Sequence, residues 1–180
     1  AEFPTQAALR KKYRQLQSAL QDHSRKVIAD TSWTKINKMT VKSERVGSRS
    51  RQLDGYQEFL TDGTIPNNIV FKLDIPRPDN LQKLTALRIH TLPLDLEKAI
   101  HSSGLGAVLS RIFVKATIPG QDQPVDLSIT RVLGDDDFHM WDPDDSLKKG
   151  GSGWGAYTHQ NQPRSCVIVL QDPLDLPEGT

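Results

Sequence analysis

The chain has 180 residues, of which 36% are apolar and 25% charged, and a formal net charge of +1. This is the composition of an ordinary globule, long enough for one full-sized domain with an appendage and short for two independent cores. A charge so near zero supplies no global field for nucleic acid or an anionic membrane, no apolar run approaches the length of a membrane span, and no export leader opens the chain, so partners must be recognised by local sites.

Ala1-Glu2-Phe3 looks like a cloning scar, which would make the chain an excised piece of something longer. From Pro4 to Asp30, Leu9, Tyr13, Leu16 and Leu20 recur at helical spacing. Thr5 stands where a cap is needed and no Gly or Pro intervenes before Gly47, so this segment is predicted to be a helix. Its apolar stripe is narrow and Arg10, Lys11, Lys12 and Arg14 make it basic, which admits a nucleic-acid arm or a coiled-coil partner. The simpler reading is a solvated helix leading into the domain, with residues 1–31 as helix and linker and 32–180 as the domain proper.

Beyond Ser32 the period changes. Trp33 to Val41 alternates apolar and polar residues, and Ser43 to Gly55 reads as a polar loop and a second strand. An Asp-Gly turn follows in Leu60 to Pro66, then a strand from Ile69 to Ile75 ended by Pro76. Leu84 to Leu92, Ala107 to Ile118, Val125 to Leu133 and Cys166 to Leu170 continue the series, while Leu94 to His101 is helix-permissive. Strands joined by short Gly, Pro and Asp-rich connections predict an all-β antiparallel sandwich preceded by an α-helix. The last residues, Leu170 to Thr180, carry the punctuation of a connection, so the sandwich is expected to lack its closing strand.

The chemistry-bearing residues gather between Asp135 and Leu170. Six carboxylates (Asp135, Asp136, Asp137, Asp142, Asp144, Asp145) stand beside Trp141, Trp154, Tyr157, His139, His159 and Arg164, with Gly150, Gly151, Gly153 and Gly155 between the indoles. That mixture suits cations, or the faces and hydroxyls of sugars. Cys166, the single cysteine, can form no intramolecular disulfide and reads as a small buried hydrophobe.

Trp33, the Leu60 to Pro66 turn, Leu84 to Ile89, Gly106 to Ile112, and Gly153-Trp154-Gly155 followed by Val167 to Leu170 and Pro173-Leu174 occur in an order that resembles a particular family. It is the sandwich domain of large planctomycete multidomain proteins, which also carry cytochrome c-type and planctomycete-specific domains. The resemblance implies a galactose-binding-like jelly roll, an exported and therefore extracytoplasmic host protein, and a carbohydrate-binding role. The acidic stretch Asp135 to Asp145 departs from the family pattern. The haem-attachment motif is absent, so this fragment is expected to hold no haem.

On this reading Trp141, Trp154 and Tyr157 offer apolar faces to a pyranose, and Asp142, His159, Asn161 and Arg164 fix its hydroxyls; the plainer expectation for Trp154 is that it packs between the two sheets, with Arg164 paired to a nearby Asp. Asp142, Asp144 and Asp145 are the oxygen donors that a structural calcium ion would take. No histidine pair has metal-ligand spacing and no serine sits in a nucleophile elbow, so the expected function is non-catalytic. The expected partners are a polysaccharide or glycan and the neighbouring domains of the parent chain. The competing expectation is a structural module that positions those domains and binds nothing small.

Overall fold

The computed structural model describes residues 5–62, 65–95, 97, 107–135, 141–155 and 161–180. They form mostly β-strands in several antiparallel sheets behind a long N-terminal helix. Two compact units comprise residues 1–31, 85–114 and 126–172, and residues 32–84, 115–125 and 173–180, respectively. Among the described residues no helix is long and apolar enough to cross a membrane.

In the first unit, helix α1 runs over Gln6–Asp30, and the Thr5 hydroxyl accepts the Ala8 N–H at 3.3 Å, satisfying one of the donors a helix start leaves open. Arg88 Nη1 donates to Ile28 O at 3.3 Å and Arg25 Nε to Asp135 O at 3.4 Å, tying the other end to the sheet. That sheet has the order β5 (Lys83–Thr91), β11 (Arg164–Asp175), β9 (Ile129–Gly134). β9 pairs antiparallel with β11 from Cys166 opposite Gly134 to Leu170 opposite Ile129, with a shift in register between Val169 and Leu170. Cys166, Val167 and Ile168 are buried in succession, as expected of a central strand covered on both faces, which is why the run is apolar without alternation. Val132, Trp154 and Cys166 form the core cluster, packed by Ile89, Leu109, Ile112, Ile129 and Leu147. The short strands β6 (Val108–Leu109) and β10 (Trp154–Gly155) pair beside it.

In the second unit, β1 (Thr40–Ser43) pairs antiparallel with β4 (Phe71–Asp74), and β2 (Ser48–Leu53) with β3 (Tyr56–Thr61). The β2–β3 hairpin turns on Asp54-Gly55, with Gly55 at φ 76°, a conformation only glycine enters without steric cost. Phe59 and Phe71 pack at 5.7 Å between centroids. Arg77 Nη1 donates to Leu176 O at 2.7 Å and Leu81 O at 3.3 Å, fastening the C-terminal segment.

Three elements differ from the sequence expectation in extent. The strand expected from Trp33 to Val41 is reduced to β1 at its end. The run Ala107 to Ile118 divides into β6 and β7 (Val114–Ala116), because the Ile112 N–H is diverted to Ser146 O at 3.0 Å. β11 does not stop at Leu170: the Gln171 N–H finds Ser128 O at 2.8 Å and the strand continues past Pro173, which has no donor to place. β8 (Val125–Leu127) precedes β9. The helix-permissive segment Leu94 to His101 lies largely outside the described residues.

Candidate functional site

Asp135 follows directly on β9, and its carboxylate faces inward. Oδ1 accepts from Arg164 Nε at 3.0 Å and Nη2 at 2.8 Å, and Oδ2 accepts from the Ser165 N–H at 2.6 Å. Arg164 is 4% exposed, and a guanidinium that deep needs a hydrogen-bonded counter-charge. Asp135 supplies it. Ser165 Oγ lies 3.0 Å from His90 Nδ1; burial first, and then Arg88, hold His90 below the ordinary histidine range against the opposing pull of Asp135. This pair is no nucleophile and base, because Ser165 is buried and Asp135 is spent on its main-chain N–H. Burial, with Asp135 adding to it, pushes the Cys166 thiol up to about 12, so it stays protonated and inert.

The acidic residues after Trp141 are similarly committed. Asp142 caps the 3₁₀ turn Pro143–Leu147, its Oδ1 accepting the Asp144 N–H at 3.0 Å. Asp144 accepts the Val132 N–H at 2.7 Å with Oδ1 and pairs with Arg131 Nε at 2.9 Å through Oδ2. Asp145 accepts from Lys148 Nζ at 2.9 Å and Ser152 Oγ at 3.1 Å, and these bonds hold its carboxyl below the usual range, Lys148 contributing most; Lys148 is raised in return. Ser146, fully buried, donates to Leu109 O at 2.7 Å and accepts the Trp154 N–H at 3.0 Å, hooking the turn to β6 and β10.

The glycines serve the same closure. A Cβ at Gly151 would overlap Asp145 O, and one at Gly153, which sits at φ 80°, would overlap Leu109 O. They permit backbone to pass against backbone.

Trp154 is 2% exposed, a core side chain with no face turned to solvent, and its Nε1 finds no partner among the described residues. Arg164 is buried against Asp135, whereas Trp141 and Asn161 are half-buried. Tyr157 and His159 lie outside the described residues. Asp142, Asp144 and Asp145 all act on the Lys148 ammonium, Asp145 most strongly. Each carboxylate has its own partners, and among the described residues no group of three His, Cys, Asp or Glu side chains is placed to hold a metal.

The second unit holds a surface cleft of about 550 Å³ that the sequence reading passed over. Its lining draws Trp33, Thr34, Lys35 and Asn37 from one segment and Arg77, Asp79 and Asn80 from another. Trp33 is half-buried, while Thr34, Asn37, Asp79 and Asn80 are exposed. Pro76 and Pro78 restrict the backbone around Arg77, and the Leu81 N–H closes a turn on Pro78 O at 2.9 Å. Arg77 is anchored by its bonds to Leu176 and Leu81, so the wall carrying Asp79 and Asn80 is built before any ligand arrives. The signal in the sequence was Pro-Arg-Pro-Asp-Asn with a tryptophan ahead of the first strand; nothing in local pattern says that the two approach each other. No family model, curated protein or solved structure matches this chain.

Proposed function

We propose that this chain is a non-catalytic carbohydrate-binding module and that the cleft at Trp33 is its sugar site. The observation that carries this reading is the meeting, in one pre-built cleft, of an indole with exposed amide, carboxylate and hydroxyl groups. The indole offers a surface to the C–H side of a pyranose, and Asp79, Asn80, Asn37 and Thr34 can pair with its hydroxyls. A single sugar has about 12 non-hydrogen atoms; at about 0.3 kcal/mol per atom that supports a Kd of about 2 mM, so useful binding needs several sugar units or several modules.

We read the antiparallel sheets as parts of a galactose-binding-like jelly roll, in keeping with the resemblance to planctomycete domains. Pairings between strands remote in sequence, β1 with β4 and β6 with β10, support that reading over a simple meander. An exported, extracytoplasmic parent protein follows from the same resemblance. The competing role, a structural module that positions neighbouring domains, draws its support from the acidic loop, whose described carboxylates are all engaged within the fold.

Affinity electrophoresis of the whole chain through gels containing a panel of polysaccharides tests the proposal. Retardation by at least one polysaccharide, lost in Trp33→Ala and kept in Trp141→Ala, is the expected result. Loss in Trp141→Ala alone would move the site to the acidic loop. Unretarded migration across the panel would overturn sugar binding and leave the structural role.

A further inference from the structure

Helix α1 is held by one face and is apolar on another. At about 100° per residue, its contacting positions Gln17, Gln21, Ser24 and Ile28 centre on one line along the helix. Leu9, Tyr13, Leu16 and Leu20 fall within an arc about 60° wide, centred about 80° away from that line. These four are 52%, 63%, 60% and 45% exposed, whereas Ser24 and Ile28 are 3% and 6% exposed. Only Val27, at the far end of the stripe's line, is half-buried. The leucine stripe is therefore not what attaches the helix to its own unit.

Spacing and charge together say what would cover it. Steps of four, three and four residues are those of alternating d and a positions of a heptad, with Arg10 at e and Lys12 at g flanking the seam. Between Gln6 and Gln21 there is no Asp or Glu at all. A second copy would set Arg10 and Lys12 against their own like, with no acid between Gln6 and Gln21 to answer them. A bilayer surface calls for an apolar face wider than about 100°, which this stripe lacks. A single helix with acidic flanks satisfies both the width and the charge.

We propose that the exposed stripe of α1 docks an amphipathic helix of a partner protein that carries apolar residues at a and d and acidic residues at e and g. Acids at both flanks serve parallel and antiparallel pairing alike, since Arg10 and Lys12 lie on opposite sides of the seam. The docking is independent of the sugar cleft.

The test uses the full chain and two labelled three-heptad synthetic peptides, both with Leu at a and d, one with Glu and the other with Lys at e and g. Fluorescence anisotropy should show the Glu peptide binding at least tenfold more tightly than the Lys peptide, with the gap narrowing in 0.5 M salt. Leu16→Asp, at an exposed position that leaves the fold's circular dichroism unchanged, should abolish binding. The double variant Arg10→Glu, Lys12→Glu should reverse the preference. Equal affinity for the two peptides, no binding of either, or a preference unmoved by charge reversal would each overturn the proposal. So would self-association of the chain that Leu16→Asp removes while the peptides stay unbound. Co-sedimentation with anionic vesicles in place of peptide binding would overturn it in favour of a membrane surface.

Discussion

The acidic loop of the first unit and the cleft of the second are built from similar residues and used in opposite ways. Both hold a tryptophan, an arginine and at least one carboxylate. In the loop the arginine is buried and the described carboxylates are taken up by partners within the fold, among them Arg164, Val132, Arg131, Lys148 and Ser152. In the cleft the arginine also bonds inward, but Asp79, Asn80, Asn37 and Thr34 remain on the surface. Composition names the chemistry that is available, and backbone direction decides whether water, ligand or the fold receives it.

The comparison can be broken most forcefully at Gly153. Gly153→Ala places a methyl on Leu109 O at a positive φ, and the expected loss is about 4 kcal/mol in urea unfolding. The same substitution at Gly120, which has φ 83° and nothing near its missing Cβ, carries the backbone term alone, about 1 kcal/mol. Near-equal losses would mean that the loop does not pass against β6 as described.

Next comes the buried ion pair. Asp135→Ala takes a two-pronged carboxylate away from the buried Arg164 guanidinium, with an expected loss of about 3 kcal/mol, while replacing both residues by apolar ones of similar volume should recover most of it. If the double replacement is no better than the single one, the pair is not the inward anchor proposed for this loop.

A pH test sharpens the same contrast. The Cys166 thiol ordinarily ionises near 9.0 and is pushed up to about 12 in the fold. The unfolded chain therefore gives up this proton first, and the preference for the folded state is complete below pH 9 and declines as pH rises toward 12. Relative to Cys166→Ala, the native chain should lose about 2 kcal/mol between pH 8 and 10.5. A constant difference between the two proteins would show the thiol to be open to solvent.

The smallest expected effect lies in the cleft. Trp33→Ala should change stability far less than Trp154→Ala, which empties the core at a cost of about 3 to 5 kcal/mol, yet it should remove retention on polysaccharide. Chelation of divalent ions should alter neither unfolding nor retention, because Asp142, Asp144 and Asp145 already have protein partners.

Much of this was legible in the chain. Leu9, Tyr13, Leu16 and Leu20 announced a helix because a 3.6-residue period needs no tertiary partner to be read, and the cap at Thr5 marked its start. The strands at Leu84 and Val125 were recognisable from β-branched and leucine-rich runs between turn residues. Strand ends were less so, because Ile112 and Gln171 take their bonds from Ser146 and Ser128, residues far along the chain. The glycines at 151 and 153 were visible as a group, but their purpose depended on Asp145 and Leu109 lying against them.

The sequence by itself determined the long basic helix with its narrow stripe, the β-rich remainder and the inertness expected of a lone cysteine in an apolar run. All three are local properties of period and composition. Only the tertiary structure decided which Asp belongs to Arg164, that the helix docks by a face other than its leucines, and that Trp33 shares a cleft with Asp79 and Asn80. Each of these turns on which remote backbone stands opposite a side chain, and that is settled by strand register and burial, to which local pattern is blind.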